Sequence, residues 1–134
     1  MKPVNTIKLI TFPVVEDTRG NLSFIQNDSL PFEMKRIYYL FDIPSNAFRG
    51  GHSHIAQQEI LLALSGSFEV VLYDGVEKKT ILLNKPNFGL HIGTGIWREL
   101  QNFSSGAVCL VVASDVFDES DYIRDYDEFL KSKK

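Results

Sequence analysis

The sequence predicts an all-β fold, a barrel or sandwich of short antiparallel strands, with one α-helix at the C-terminus. Along residues 6–113, short runs rich in β-branched and aromatic residues recur, several with an alternating apolar and polar pattern. Turn-forming residues such as Asp74-Gly75 and Ser104-Ser105-Gly106 separate these runs. Turn signals that recur every eight to twelve residues or so are typical of β-sandwiches and barrels.

Each strand is predicted from its own run of residues. In Met34 to Phe41, the alternation places Arg36, Tyr38 and Leu40 on one face. The other predicted strands span residues 6–12, 21–26, 67–73, 77–83, 88–92, 96–100 and 107–113. Beyond these strands, Tyr122, Ile123, Tyr126, Phe129 and Leu130 recur at helical spacing, and Ser120 is a plausible N-cap. This pattern predicts a helix over about residues 120–132.

Composition limits the classes of function. The 134 residues fit one domain, 1–134. The net charge of −3 gives no basic field, so we expect neither a nucleic-acid partner nor an anionic membrane surface. The single cysteine, Cys109, lies in an apolar run, so we expect a buried thiol. The first residues lack the apolar core of a signal peptide and no run is long enough to cross a bilayer, so we expect a cytoplasmic protein.

The most informative stretch holds two of the three histidines. His52 and His54 stand two residues apart, so in a strand both imidazoles lie on one face. With the flanking glycines and Glu59 they give the spacing G-x-H-x-H-x4-E-x6-G, which ends at Gly66. This spacing resembles the first motif of the cupin superfamily, small β-barrels with a polar site in the mouth. The resemblance implies a cupin-type antiparallel β-barrel or jelly roll.

A second cupin-like motif lies at residues 93–102, but Arg98 stands where a metal-binding cupin has histidine. A guanidinium stays protonated and repels a cation. We therefore favour a metal-free polar pocket, in which the histidines can move protons and Arg98 and Arg49 meet an oxyanion or a phosphate. Two alternatives stay open: a metal site using His52, His54, Glu59 and His91, or histidines that are only structural.

Four blocks resemble a narrower family, the sugar-nucleotide 3,4-ketoisomerases. They are Met34–Leu40, Arg49–His54, Gly95–Leu100 and Ala113–Tyr126. The resemblance covers about Thr6 to Phe129. It implies a cupin fold without metal or other cofactor, a homodimer with an exchanged N-terminal strand, and dTDP-4-keto-6-deoxy-D-glucose as substrate, whose ketone moves from C4 to C3.

The resemblance also assigns roles to residues. It implies His52 as the base, with Tyr38 and Arg98 beside it. For substrate binding we expect Arg49 and His54, and further the residues Arg36, Arg19, Trp97 and His91. The chain departs from the family pattern at Gly51 and Phe117, and at His91, which could change the polarity of the pocket.

The stereochemistry of the product follows from how many proton carriers act. One histidine working on one ring face returns the C3 proton to the same face at C4, which gives the galacto product. Arg19-Gly20 also resembles the galacto-forming branch. We therefore predict dTDP-3-keto-6-deoxy-D-galactose. The alternatives are a dTDP-deoxysugar epimerase, a metal-dependent cupin enzyme and a non-catalytic sugar-binding module.

Overall fold

A computed structural model describes residues 3–134. Two five-stranded antiparallel sheets face each other, with strand orders β1-β9-β6-β11-β4 and β12-β5-β10-β7-β8. The strands are β1 Lys8–Thr11, β2 Val14–Val15, β3 Leu22–Ser23, β4 Arg36–Leu40, β5 Arg49–His54, β6 Glu59–Ser65, β7 Phe68–Tyr73, β8 Lys78–Leu83, β9 Phe88–Ile92, β10 Trp97–Gln101, β11 Val108–Ala113 and β12 Tyr122–Ile123. The all-β prediction is confirmed, and we call the sheet that contains β6 the first sheet and the sheet that contains β10 the second sheet.

The main core lies between the two sheets. Because side chains alternate along a strand, each strand sends every second residue inwards. Leu61 and Ala63 of the first sheet therefore meet Val70, Leu72 and other residues of the second sheet, all buried. The same layer of inward-pointing side chains encloses the candidate site at one end.

The outer face of the first sheet carries a second, smaller core. Phe12, Ile60, Leu62 and Val112 are buried there under the segment between β3 and β4. On β4, however, Ile37 and Tyr39 are 49% and 59% exposed. The segment thus leaves part of this apolar face uncovered. The hairpin of β2 and β3 is exposed throughout.

The glycine that closes the histidine motif has a structural explanation. Gly66 turns the chain between β6 and β7 with φ of 66°, a region that side chains other than glycine rarely adopt. A Cβ atom there would also lie 3.1 Å from the Cα of Ala107. The turn therefore needs glycine for both its conformation and its close packing.

The C-terminal helix is shorter than the sequence predicts. Helix α1 spans only Tyr126–Ser132, and its N-cap is Asp125, whose side chain accepts a hydrogen bond from the backbone of Glu128. Residues 119–121 form a 3₁₀ turn capped by Asp118, and β12 then pairs with β5. The predicted N-cap at Ser120 is therefore wrong, because pairing with the edge of the second sheet overrides the helical pattern over residues 120–123.

Two further expectations concern the burial of Cys109 and membrane-spanning segments. The predicted burial of Cys109 is confirmed, with 0% exposure, and burial raises the pKa of its thiol. Among residues 3–134, no helix combines the length and apolar character that crossing a membrane would require.

Candidate active site

The site is a cavity of about 430 Å³ between the two sheets. Strand β5 supplies His52, which pairs across the sheet with Arg98 of β10. The first sheet supplies Tyr38 from β4 and Glu59 from β6. The full lining is Tyr38, Leu40, Phe48, Arg49, Gly50, Gly51, His52, Glu59, Leu61, Arg98, Leu100, Val111, Tyr122 and Arg124.

A buried ion pair connects the two sheets across this cavity. Nη1 of Arg98 donates to Oε1 of Glu59 at 2.6 Å, and the two residues are 2% and 1% exposed. The hydroxyl of Tyr38 donates to Oε2 of Glu59 at 2.6 Å, and Nε2 of Gln57 donates to the same oxygen at 2.8 Å. Arg98 also donates from Nη2 to the carbonyl oxygen of Ile96 at 3.0 Å. Glu59 therefore fixes the positions of the Arg98, Tyr38 and Gln57 side chains.

The two histidines contact each other at their ring tips. The Nε2 atoms of His52 and His54 are 3.1 Å apart. Nδ1 of His54 lies 3.0 Å from Oδ2 of Asp121. The ring of Tyr122 covers both imidazoles, with ring centres 4.9 Å from His52 and 4.4 Å from His54. The contact with Asp121 and the packing of the Tyr122 ring therefore hold the two histidines in place.

The surroundings keep both imidazoles neutral. Burial, followed by the positive charge of Arg98, lowers the pKa of His52 to about 2. Burial and Arg98 also lower the pKa of His54, although Glu59 and Asp121 partly oppose the shift. A neutral imidazole keeps one lone pair with which it can accept a proton.

The carboxyl and the phenol of the site are shifted in opposite directions. Burial alone would raise the pKa of Glu59, but Arg98, His54 and the hydrogen bond from Tyr38 outweigh it and lower the pKa. Burial and the neighbouring charge of Glu59 raise the pKa of Tyr38 well above its ordinary value. At neutral pH the site therefore holds a carboxylate, a guanidinium, two neutral imidazoles and a protonated phenol.

The donor set does not fit a resident divalent cation. Donor atoms of His52, His54 and Glu59 lie within 4.8 Å of one another, as a metal site would need. However, Arg98 already donates to Glu59, and the Nε2 atoms of the two histidines contact each other. A cation there would face the guanidinium at close range, which is unfavourable. We therefore route no chemical step through a metal.

Four of the residues singled out from the sequence line the cavity, namely Tyr38, Arg49, His52 and Arg98. Arg49 lies at the exposed end of β5. Glu59 lines the cavity as well, as a buried hydrogen-bonding residue. The prediction that these β-strands converge on one polar pocket agrees with the geometry.

His91 and Trp97 lie outside the cavity, contrary to expectation. His91 pairs with Ile60, whose side chain belongs to the outer core, so His91 points to the outer face of the first sheet. There its Nε2 lies 2.9 Å from Oε1 of Gln58. Trp97 precedes Arg98 and so points to the opposite face of β10, where it packs on Phe129 of helix α1.

Three other predicted substrate-binding residues do not line the cavity. His54 is 1% exposed and lies behind His52. Arg36 shares a strand face with Tyr38 but stacks on that ring at 4.9 Å and donates to Gln57. Arg19 lies in an exposed turn, where it forms an ion pair with Asp17 at 2.8 Å. In the single chain, none of the three lines this cavity.

Sequence reasoning missed Asp121, Tyr122 and Arg124. Tyr122 and Arg124 line the cavity, and the guanidinium of Arg124 stacks on the ring of Tyr122 at 4.2 Å. They reach the site because β12 pairs with β5, with Tyr122 opposite His54. From the sequence, residues 120–123 are instead assigned to the start of the predicted helix. Tyr122 and Ile123 are residue types that favour strands, but a run of two residues is too short to predict one.

The fold and the site define a cupin-type barrel with a polar pocket between its two sheets. Residues 5–134 match the profile of the family described as "FdtA: WxcM-like, C-terminal". The chain is 44% identical, over 92% of its length and 90% of the relative's, to the TDP-4-oxo-6-deoxy-alpha-D-glucose-3,4-oxoisomerase of Aneurinibacillus thermoaerophilus. It therefore belongs to this family of sugar-nucleotide 3,4-ketoisomerases.

Solved structures agree with this assignment. The TDP-quinovose 3,4-ketoisomerase of Campylobacter jejuni superposes with a TM-score of 0.89 at 45% identity, over 94% of this chain and 98% of that one. A His-to-Asn variant of the 3,4-ketoisomerase from Thermoanaerobacterium thermosaccharolyticum, in complex with TDP-4-keto-6-deoxyglucose, superposes with a TM-score of 0.93 at 39% identity, over 95% and 93% of the two chains.

The buried histidines predict how stability depends on pH. In the unfolded chain, His52 and His54 bind protons below their ordinary pKa of about 6.5. In the folded protein, the lowered pKa keeps His52 neutral over this range and shifts the protonation of His54 to lower pH. The unfolded state then binds more protons, so the free energy of unfolding falls as pH drops below that value. Between pH 7.5 and 5 we expect a loss of about 2 kcal/mol from His52, with a further loss from His54.

Urea unfolding at pH 7.5, 6.0 and 5.0 measures this loss. The variant His52→Gln should show a smaller loss over the same interval, because one of the two groups no longer titrates. A free energy of unfolding that stays constant from pH 7.5 to 5 would contradict the burial of neutral imidazoles.

Proposed function

We propose that this protein converts TDP-4-keto-6-deoxy-D-glucose into the corresponding 3-keto sugar nucleotide, without a metal. The observation that carries the proposal is the cavity itself, in which neutral His52, protonated Tyr38 and cationic Arg98 line one space. The relative from A. thermoaerophilus and the complex with TDP-4-keto-6-deoxyglucose support this choice of substrate.

The reaction needs a base, an acid and a fixed positive charge. The C4 ketone acidifies the hydrogen on C3, and His52 takes that proton to leave an enediolate. The proton on O3 then passes to O4, and the imidazolium of His52 returns its proton to C4. The product has a ketone at C3 and a hydroxyl at C4, so no net proton or electron is gained or lost.

Tyr38 and Arg98 assist at the two oxygens. The hydroxyl of Tyr38 donates to Glu59, so its oxygen can accept a hydrogen bond from the sugar. As the proton of O3 arrives on Tyr38, the phenol proton moves to Glu59; the reverse transfer then delivers one proton to O4 and restores both groups. Arg98 cannot lose its proton and so stabilises the negative charge on the enediolate. Losing one such stabilising group typically costs on the order of a hundredfold to a thousandfold in rate.

The configuration at C4 follows from the number of proton carriers. His52 is the one histidine among residues 3–134 that lines the cavity. A single imidazole acting on one face gives the galacto product, which we propose here. The 45% identity to a TDP-quinovose enzyme favours the gluco product instead. The configuration therefore has to be read from the product.

The decisive experiment follows the substrate by NMR in deuterated water, with purified protein freed of metal by a chelator. We expect the ketone to move to C3, one deuterium or transferred hydrogen at C4, and the galacto configuration there. Loss of activity on chelation that is restored by a divalent metal would contradict the metal-free proposal. Exchange at C3 or C5 without ketone migration would indicate an epimerase instead.

A pair of matched variants tests the role of His52. His52→Asn should lower kcat by on the order of a hundredfold to ten-thousandfold, because it removes the proton carrier. His91→Asn makes the same chemical change outside the cavity and should leave kcat unchanged. Equal effects of the two variants would contradict the assignment of His52 as the base.

We also propose that the protein is a homodimer that uses the exposed apolar face of the first sheet. Ile37, Tyr39 and Phe41 form an exposed row along and just beyond β4, with exposures of 49%, 59% and 60%. In the single chain, β1 pairs with β9 in the register Lys8 to His91. An exchanged N-terminal strand would place the partner subunit's β1 at the same edge in the same register.

Light scattering after size exclusion measures the mass in solution. We expect about twice the 15.2 kDa of one chain. The variant Tyr39→Glu should dissociate the dimer, because it places a charge in the buried apolar interface. Val76→Glu, at an exposed apolar residue in a turn of the second sheet, should leave the mass unchanged. A monomeric wild-type protein would contradict the proposal.

A further inference from the structure

The hydrogen bonds behind His52 form a chain that ends at a carboxylate outside the cavity. Oδ2 of Asp121 lies 3.0 Å from Nδ1 of His54, and Nε2 of His54 lies 3.1 Å from Nε2 of His52. Asp121 is the last residue of the 3₁₀ turn that leads into β12, and its side chain is 13% exposed. None of the catalytic roles described above uses Asp121 or His54.

The backbone contacts of Asp121 require both of its oxygens to be acceptors. The backbone N–H of Ala56 donates to Oδ1 at 2.7 Å, and that of Gln57 donates to Oδ2 at 3.1 Å. An ionised carboxylate only accepts hydrogen bonds, and these two N–H donors suit that form of Asp121. The short contact with Nδ1 of His54 is therefore a hydrogen bond in which the imidazole donates.

This contact fixes the tautomer of His54. A neutral imidazole has one N–H and one lone pair, so a hydrogen on Nδ1 leaves the lone pair on Nε2. Burial beside Arg98 lowers the pKa of His54 and keeps it in this neutral form. The nearest oxygen of Glu59 is 3.6 Å from Nε2, too long for a hydrogen bond that would reverse the tautomer.

The tautomer of His54 in turn fixes that of His52. Because Nε2 of His54 is an acceptor, Nε2 of His52 must carry the hydrogen that lies between them. The lone pair of His52 is then on Nδ1, which is buried and has no protein hydrogen-bond partner. His52 lines the cavity, so this unpaired acceptor is one that a donor brought by a bound sugar would satisfy.

We propose that Asp121 is a positioning residue that acts through His54, directing the lone pair of His52 to Nδ1 and stabilising the imidazolium formed there. On proton uptake from the sugar, Nδ1 of His52 gains the hydrogen, and its Nε2–H still donates to His54. The positive charge on His52 is then balanced through His54 by the carboxylate of Asp121. When His52 returns the proton to the sugar, the chain is restored without net change.

This inference rests on the proposed function for its kinetic part, but its structural part is independent of it. The chain has three histidines, so the long-range ¹H–¹⁵N spectrum of ¹⁵N-labelled protein reads every imidazole separately. At pH 7.5 without substrate, we expect hydrogen on Nδ1 of His54 and on Nε2 of His52. His91, which contacts Gln58 on the outer face, serves as an internal reference.

The variant Asp121→Asn tests whether Asp121 sets the tautomer of His52 through His54, because an amide can present a donor to His54 in place of an acceptor. We expect the tautomers of His54 and His52 to change while the His91 signals stay the same, and kcat to fall about 10- to 100-fold, the range usual for partners that orient a functional histidine. KM should change little. Asp115→Asn removes a carboxylate from the same segment without contacting a histidine, and should match the wild type in spectrum and in kcat.

Several results would overturn the inference. One is a wild-type spectrum with hydrogen on Nδ1 of His52, which needs no variant at all. Another is an Asp121→Asn protein that keeps both wild-type tautomers, or that changes them without loss of kcat. Absence of ketone migration in the wild type would instead refute the proposed function and would leave the spectral result standing.

Discussion

The structure of the site depends on one buried ion pair, between Glu59 and Arg98. Removing both charges from water is costly, and the cost is met only because each is the other's partner and both make further hydrogen bonds. Glu59 accepts from Tyr38 and Gln57 as well as Arg98, so strands from both sheets meet at one carboxylate. The cavity therefore has a rigid wall with a fixed charge, on which neutral histidines and a protonated phenol are arranged.

Under the proposed function, this arrangement explains how a cupin barrel with the residue spacing of a metal site can carry out proton transfer. In a metal-binding cupin, histidine and glutamate side chains converge on a cation. Here they still converge, but the guanidinium of Arg98 takes the position of the positive charge and is covalently part of the chain. His52 and His54 contact each other, and His54 also contacts Asp121. Under the proposed function, the same residue spacing serves a different chemistry, because one residue of the second motif differs.

Most of the strands could be predicted from a period of two, and the motif resemblance pointed to several of the residues that line the cavity. Tyr38, Glu59, His52 and Arg98 each fall on an inward-facing position of a strand. The same alternation places the side chain of Trp97, which precedes Arg98 on β10, on the opposite face of that strand. What local pattern could not show was the pairing of β12 with β5, which joins residues far apart in the chain. That pairing shortens the helix and brings Asp121 behind His54.

The most direct test of this account is a double-mutant cycle on the ion pair, measured as free energies of unfolding. Glu59→Gln and Arg98→Met should each cost about 3–5 kcal/mol, because each leaves one buried charge unpaired. The double variant should cost clearly less than the two single losses added together. The exposed pair of Asp17 and Arg19 provides the control and should show coupling close to zero. Additive losses at Glu59 and Arg98 would contradict the central role given to their interaction.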